Sequence, residues 1–578
     1  MATETTLAAQ EDVPRVPHSN GAIKENGKRR KLHGRAFYES IGSPKLVLAP
    51  MVEQSEFAWR LLSRSFLPVS QQKSLLAYTP MFHSKMFGEK SNYRDTHFQP
   101  LKSTVPSPID DYHLSQLADS DRHLDGNPAF DRPLTVQFCS NDPDDFLRAA
   151  QHVAPFCDAV DLNLGCPQGI AKRGKYGAFL QEDWSLIASM IRKLHDELDV
   201  PVTAKMRVLE TPEKTLAYAK TLLDAGASII TVHGRRREQK GHNTGLADWK
   251  MIRHLRENLP RDAVIFANGN ILQHEDIAAC LEATGADGVM SAEGNLYDPT
   301  IFAAPPPIGQ EGREYWRGRD GKGGYRMDAV MRRYMDIIHQ YALGQELPNR
   351  KPLWMPSDPE DVPEQENGKT EEDEEGPPKK KRKQMSKSEK KKEKTSNPNL
   401  TAMQAHLFHL LRPLVAEHHK VRDALARSRT GDIDAFENVL ALVEKAVKEG
   451  IEKYEQEHAN NTAAEPSPQP ATSALAEPLD PYESSLATVA RCKRPYWVCQ
   501  PYVRPLPKEA IEKGSMTVSK KEKKRLEIEA EQAVKKGDDE VRDAGLQPGG
   551  RVEERVLVDG EEEQKEIVEE PRDGLVCG

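Results

Sequence analysis

The chain has 578 residues, of which 37% are hydrophobic and 30% are charged, and its net charge is -9. This length allows about two to four domains, but so polar a composition excludes one continuous globule, and we expect part of the chain to be disordered. No apolar run is long enough to cross a bilayer or to act as a signal peptide, so we expect an intracellular protein outside the membrane.

Seven cysteines are scattered along the chain, and they form no CxxC pair. An odd and sparse set of this kind disfavours a secreted disulfide framework. The missing CxxC spacing also disfavours a structural zinc site. We therefore expect free thiols, a reducing compartment and no structural metal.

In chain order, residues 1–35 are polar and end in a basic cluster at 28–31, which predicts a disordered N-terminal tail. Short β-branched or apolar runs then alternate with amphipathic stretches of helical period. One stretch starts at Thr211-Pro212, a typical helix start, and ends before Gly226. Eight runs predict strands at residues 46–49, 75–78, 134–138, 159–163, 202–206, 229–233, 263–267 and 287–290.

Eight strands with helices between them predict an α/β fold, a (β/α)8 TIM barrel over residues 36–312. An open doubly wound sheet is the alternative, and the count of eight favours the barrel. Apolar residues at helical spacing predict a small helical domain over residues 313–355 and 397–458. The charged block at 356–396 is predicted to be a disordered insertion, and residues 459–578 a largely disordered extension with a denser island at 491–507.

Polar and glycine residues recur where the predicted strands end. Because these ends converge on one mouth of such a barrel, the residues are candidates for a single site. Taken alone, Lys205 could be a solvated charge, His233 a structural histidine, and Gly269 and Gly294 simple turn residues. Glycine-bearing loops after strands seven and eight commonly hold a phosphate, and with a buried cation on strand five they suit a phosphorylated flavin. No GxGxxG motif follows a strand, so a tightly held nicotinamide cofactor is not predicted.

Cys166 is the most informative residue, because it lies between Gly165 and Pro167 just beyond the fourth predicted strand. A thiol there sits on a rigid loop that faces the mouth. A structural cysteine would more often lie inside an apolar run, as Cys139 and Cys280 do. A thiol with an ordinary pKa of about 8.5 is mostly protonated near neutrality and can donate a proton. The alternative is that Cys166 only packs.

Five segments, residues 49–52, 163–168, 205–207, 232–235 and 268–270, have the order and spacing found in tRNA-dihydrouridine synthases, a family that the chain resembles over residues 36–310. The segments at 238–241, 247–249 and 289–294 resemble the eukaryotic branch of that family, which acts on positions 16 and 17 of tRNA.

The resemblance implies an oxidoreductase in which NADPH or NADH reduces bound FMN. The reduced flavin then passes a hydride to C6 of a flipped-out uridine in the tRNA D-loop, and Cys166 protonates C5 to give 5,6-dihydrouridine. The helical domain would bind tRNA, and we expect a monomer.

The resemblance also assigns roles to individual residues. Asn163 and Arg207 would contact the uracil. Position 293 of this chain differs from the broader family, in which an arginine often faces the flavin phosphate. Glu293 can offer only its backbone N–H to that phosphate. The residues that would hold FMN are Pro50, Met51, Val52, Gln137, Lys205, His233, Asn268, Gly269, Asn270, Ala292 and Glu293.

Two other functions stay open: a flavin-dependent reductase of free pyrimidines, and an RNA-binding protein without catalysis. The helical domain and basic segments favour a macromolecular substrate, and the joint presence of Cys166, Lys205 and His233 favours catalysis. The basic run at 378–383 resembles a nuclear localisation signal, which predicts a nuclear location, a cytoplasmic one or both. A solvated charge run or an RNA phosphate contact are its alternatives.

Overall fold

The structure, a computed structural model, describes residues 31–103, 109, 111–359, 397–459 and 484–512, with a short backbone ladder between Lys24–Glu25 and Lys28–Arg29. The candidate localisation signal at 378–383 and most of the charged insertion lie outside the described residues. Within the described part, no helix is long and apolar enough to cross a membrane. The Lys31 ammonium, in the range predicted as tail, donates to the carbonyls of Leu194 and Leu198 on the barrel.

Eight parallel strands form the centre of the molecule. Each agrees with a predicted run to within one residue at either end. Their bounds are β1 Leu46–Leu48, β2 Leu75–Tyr78, β3 Leu134–Cys139, β4 Ala159–Leu164, β5 Val202–Arg207, β6 Ile229–His233, β7 Val264–Asn268 and β8 Gly288–Ser291.

The sheet closes on itself, which confirms the barrel and excludes the open doubly wound sheet. From β3 to β8 each strand pairs with the next one in the chain, and β8 pairs with β1 through Val289 and Leu46. β2 pairs with both β1 and β3, the latter through Ala77 and Leu134, and this completes the circle. Every residue of β2 to β8 is buried, because helices cover the outer face and side chains fill the interior.

Helices follow the strands and surround the barrel. The predicted helix start is confirmed: the Thr211 hydroxyl accepts a hydrogen bond from the Lys214 backbone N–H, and Pro212 is the first helical residue. The barrel helices are Gly34–Ser40, Phe57–Ser65, Ser84–Glu89, Ser91–His97, Asp111–Gln116, Pro143–Val153, Gly169–Gly174, Trp184–Glu197, Pro212–Asp224, Trp249–Asn258, His274–Thr284 and Glu293–Tyr297.

A helical region follows the barrel after a short antiparallel pair, Tyr315–Arg317 and Gly323–Tyr325. Its first helix packs both against its longest helix and against Phe57–Ser65 of the barrel. Its helices are Met327–Ile337, continued by a π-helical turn at Ile338–Ala342, and Pro398–Thr401, Met403–Leu410, Arg412–Glu417, His419–Arg427 and Ile433–Ala459.

A buried polar contact fixes the helical region against the barrel. The His406 Nε2 lies 3.0 Å from the nearer carboxylate oxygen of Glu56, and both residues are buried. The His406 ring stacks on the indole of Trp59 with 3.8 Å between ring centroids. This buried contact and the stacked rings join the helical region to the barrel in one orientation.

Part of the C-terminal extension, residues 484–512, also packs on this body and contains the helices Ser485–Cys492 and Pro507–Glu512. The Met327 N–H donates to the carbonyl of Trp497, and the Cys499 N–H donates to that of Tyr325, each at 2.9 Å. Trp497 and Val498 are buried in the core, so the denser island noted at 491–507 supplies its own apolar anchor.

A buried charge cluster joins the helix Phe57–Ser65 to the loop before β3. The fully buried Arg60 donates to Asp131 at 2.6 and 3.0 Å and to Asp125 at 2.8 Å. Removing one partner from such a cluster leaves an uncompensated buried charge.

We expect Arg60→Met to lower the free energy of unfolding by about 3–5 kcal/mol, because the carboxylates of Asp125 and Asp131 would stay buried without their cation. Urea denaturation followed by circular dichroism measures the loss. The matched control is Arg148→Met, since the pair of Arg148 with Glu89 is exposed and contributes no more than about 1 kcal/mol. Equal losses in the two variants would contradict the assignment.

Candidate active site

The predicted residues of strands β3 to β7 meet at the carboxyl-terminal mouth of the barrel. The strand register places them side by side on the inward face and all of them are buried. The opposed pairs are Gln137 with Asp161, Asn163 with Lys205, Arg207 with His233, and His233 with Asn268.

Asn163 anchors the loop that carries Cys166 through hydrogen bonds to the loop backbone. The Asn163 Oδ1 accepts hydrogen bonds from the backbone N–H groups of Gly165, at 3.0 Å, and Cys166, at 2.9 Å. Its Nδ2 donates to the Gln137 Oε1 at 2.8 Å. One amide side chain therefore connects the thiol loop to strand β3.

The same loop is clamped from its other sides. The Arg207 Nε donates to the Gly165 carbonyl and the Lys240 Nζ donates to the Pro167 carbonyl, both at 2.7 Å. Gly177 lies against Cys166 with a positive φ of 63°, and a Cβ there would come within 2.8 Å of the Cys166 carbonyl oxygen. Cys166 is thus buried on a loop with little freedom to move.

Asp161 anchors this network in the barrel interior. Its carboxylate accepts hydrogen bonds from the Thr203 hydroxyl, at 2.6 Å, and from the Gln137 Nε2, at 2.8 Å. Burial raises the pKa of Asp161 to about 6, against the opposing effect of these hydrogen bonds and of the Lys205 charge. The carboxyl group therefore titrates close to neutrality.

Positive charge gathers beside this network, where Lys205, Arg207 and Arg235 surround His233. Burial, assisted by the neighbouring charges of Arg207, Arg235 and Lys205, lowers the pKa of His233 well below its ordinary value. His233 is therefore neutral. The Arg235 Nη1 lies 3.0 Å from its Nε2, which makes Nε2 the acceptor and leaves the ring proton on Nδ1.

The loops after β7 and β8 border the cationic side. Gly269 has a φ of 113°, and a Cβ there would lie 2.5 Å from the Ala247 Cβ, so only glycine fits. The Asn270 Oδ1 accepts from the Ala247 N–H and from the Arg235 Nη2, each at 2.9 Å. A Cβ on Gly294 would lie 2.1 Å from the Ile271 carbonyl oxygen, so close packing at this position excludes any larger residue.

The remaining predicted cofactor residues lie on the same rim. Pro50 and Met51 follow β1 and are buried, and Val52 is half-buried. Ala292 is buried after β8. The Glu293 carboxylate accepts a 2.7 Å hydrogen bond from the Arg504 Nε.

The mouth fits the flavin that the sequence predicts. Two buried atoms, the His233 Nδ1 and the Asn268 Oδ1, have no hydrogen-bond partner among the described residues. One is a donor and the other an acceptor, and leaving such groups unmatched costs about 1–3 kcal/mol each. The pyrimidine edge of an isoalloxazine ring offers both complementary groups, and a phosphate would match the surplus positive charge.

Fold and site together define a barrel enzyme whose mouth combines a cationic, flavin-compatible wall with a thiol on a fixed loop. Sequence comparison gives its family. The model described as Dihydrouridine synthase (Dus) matches residues 47–347. The chain belongs to the dihydrouridine synthase family, and the resemblance noted in the sequence is confirmed.

Three relatives align with most of the chain. It is 41% identical to the tRNA-dihydrouridine(16/17) synthase [NAD(P)(+)] of Schizosaccharomyces pombe, over 82% of this chain and 92% of the relative. It is 38% identical to the Saccharomyces cerevisiae protein of the same name, over 91% of this chain and 99% of the relative. It is 34% identical to a "tRNA-dihydrouridine(16/17) synthase [NAD(P)(+)]-like" protein of Rattus norvegicus, over 85% of this chain and 81% of the relative.

Sequence interpretation missed three members of this site. Asp161 lies in the fourth predicted strand but was given no role, although its position opposite Gln137 makes it the anchor of the network. Arg235 belongs to the segment 232–235 but was also given no role. Arg504 was missed because it lies far along the chain, and the denser island at 491–507 was the one available signal.

We expect Asp161→Asn to remove a pH-dependent part of the stability. The carboxyl group titrates near 3.8 when unfolded and near 6 when folded, so the folded protein binds the extra proton between these values. The contribution of this group to stability is therefore greatest below the lower value and is lost as the pH rises through the folded pKa, by about 2–3 kcal/mol. Urea denaturation of both proteins across this range measures the difference. Parallel stability curves would refute the shift.

Proposed function

We propose that this protein reduces uridine to 5,6-dihydrouridine in the D-loop of tRNA, at positions 16 and 17. The observation that carries the proposal is the fixed thiol of Cys166 at the mouth that also holds the cationic wall. The names of the Schizosaccharomyces pombe and Saccharomyces cerevisiae relatives give the same modification and positions.

FMN is the bound cofactor in this proposal, and NADPH or NADH is the transient reductant. Bound FMN would supply the hydride for C6 of the uracil. Lys205 would offset negative charge on the ring, and the His233 Nδ1–H and the Asn268 Oδ1 would gain hydrogen-bond partners. The other residues proposed to border FMN are Pro50, Met51, Val52, Gln137, Gly269, Asn270, Ala292 and Glu293.

Cys166 acts as the acid. Reduction of the C5–C6 double bond needs a proton at C5 as well as a hydride at C6, and the thiol donates that proton. It then regains a proton from solvent. A neutral thiol already carries the proton that it donates, so it needs no separate activation. What it needs is a fixed position, which Asn163 and Arg207 supply through the loop backbone.

Asn163 and Arg207 are also proposed to contact the uracil. The contacts that hold the thiol loop use only some of the hydrogen-bonding groups of these side chains. An amide carries two N–H donors and a guanidinium carries five. Both residues can therefore position the loop and the base together.

The buried position of Cys166 sets a condition on the substrate. A base inside a stacked helix cannot reach the mouth, so the uridine must leave its stack, which flexible loop nucleotides do at least cost. The helical region at 313–355 and 397–458 is proposed to bind the body of the tRNA. Its buried contact between His406 and Glu56 fixes it relative to the mouth, as a positioning domain requires.

We expect Cys166→Ala to bind FMN and to accept electrons from NADPH like the wild type, while dihydrouridine formation falls by about 100-fold or more, the usual contribution of a general acid. The measurement is single turnover on an unmodified tRNA transcript, with dihydrouridine mapped at positions 16 and 17. Cys280→Ala is the matched control, because Cys280 is a buried thiol on a helix outside the barrel.

Equal turnover by Cys166→Ala and the wild type would remove the assigned role. A wild-type protein that binds no FMN would instead favour an RNA-binding protein without catalysis.

A further inference from the structure

A cavity lies at the rim of the mouth, beside the loops that follow β6, β7 and β8. Arg235, Asn270 and Glu293 of the barrel line one side, and Tyr502 and Arg504 of the C-terminal extension line the other. The extension therefore forms a wall of the site, although Arg504 follows Glu293 by 211 residues in the chain.

Contacts to both the barrel and the helical region hold this wall in place. The Arg504 Nε donates to the Glu293 Oε1 at 2.7 Å. The Tyr502 ring packs against the Tyr297 ring with 5.1 Å between centroids. The Arg412 guanidinium carbon lies over the Tyr502 ring, 3.8 Å from its centroid. The segment is thus placed by aromatic packing on one side and by an ion pair on the other.

The cavity carries more positive than negative charge at this point. Arg235 donates to the His233 ring, the Asn270 amide and the Gly245 carbonyl, at 2.9 to 3.0 Å, and all three acceptors are neutral. Glu293 is the carboxylate that Arg504 contacts, and its charge also acts on Arg235. Arg491 and Asp276, the other charged residues of the lining, lie 3.6 Å apart and offset each other, so the lining as a whole carries one more positive than negative charge.

A phosphate monoester is the ligand that suits this arrangement. It carries up to two negative charges, and its oxygens match the planar fork of a guanidinium. The cavity is lined by Asn270 and by Arg235, which contacts the His233 ring. It therefore lies beside the wall where the buried donor of His233 and the buried acceptor of Asn268 would meet the proposed flavin ring. A ligand with a ring at that wall and a phosphate on a short chain would reach both.

We propose that Arg504 binds the phosphate of FMN, so that the C-terminal extension completes the cofactor site from outside the barrel. Glu293 holds the guanidinium at the rim, and the five N–H donors of an arginine allow contact with the carboxylate and the phosphate together. This inference rests on the proposed function, because FMN is the group whose phosphate would enter the cavity.

The test compares two flavins that differ only in the phosphate. Protein freed of flavin is titrated with FMN and with riboflavin, and binding is followed by flavin fluorescence. Arg504→Ala should weaken FMN binding by about 10- to 100-fold, the range for a lost charge-assisted contact, and leave riboflavin binding unchanged. Arg504→Lys should lose less, because it keeps the charge. Lys508→Ala, an exposed lysine of the same extension, is the control and should behave like the wild type.

Three outcomes would overturn the inference: unchanged FMN affinity in Arg504→Ala, an equal loss for FMN and riboflavin, or weaker tRNA binding at unchanged FMN affinity. The second would make Arg504 a residue that shapes the rim, and the third would make it an RNA phosphate contact. Retained riboflavin binding shows that the variant is folded. A wild type that binds neither flavin would overturn the proposed function itself, so the two failures are distinguishable.

Discussion

The carboxylate of Asp161 organises the polar interior of this barrel. It accepts from Gln137, whose Oε1 accepts from Asn163, whose Oδ1 accepts from the backbone of the Cys166 loop. Each group in this series has a partner with the required polarity, and the Thr203 hydroxyl occupies the other carboxylate oxygen. Fully matched networks in a low-dielectric interior are rigid, so the strands themselves determine where the thiol lies.

Electrostatic interactions determine the properties of the cationic wall of the mouth. Lys205, Arg207 and Arg235 lie together, and His233 stays neutral among them because its burial, assisted by these charges, lowers its pKa. A ligand that binds only the folded protein stabilises it, so an anion bound beside these cations should stabilise this fold. The same charges would select a phosphorylated flavin, with Arg504 adding to them from the extension.

The strands and the mouth were predictable because both follow from local patterns. Apolar runs mark parallel strands, and a closed parallel barrel necessarily brings their carboxyl ends together. Long-range partners were not predictable. Nothing near Arg504 in the sequence indicates Glu293, and the polar composition of the extension concealed its anchor at Trp497. The sequence also could not show that Asn270 and Arg207, expected as ligand contacts, hold neighbouring loops as well.

The fixed thiol and the cationic wall are proposed to serve a uridine presented by tRNA. The decisive experiment incubates purified protein with FMN, NADPH, unmodified tRNA and an excess of free uridine and uracil, with products resolved by mass spectrometry. We expect dihydrouridine at positions 16 and 17 of the tRNA and unchanged free pyrimidines. Reduction of the free pyrimidines with unmodified tRNA left intact would contradict it.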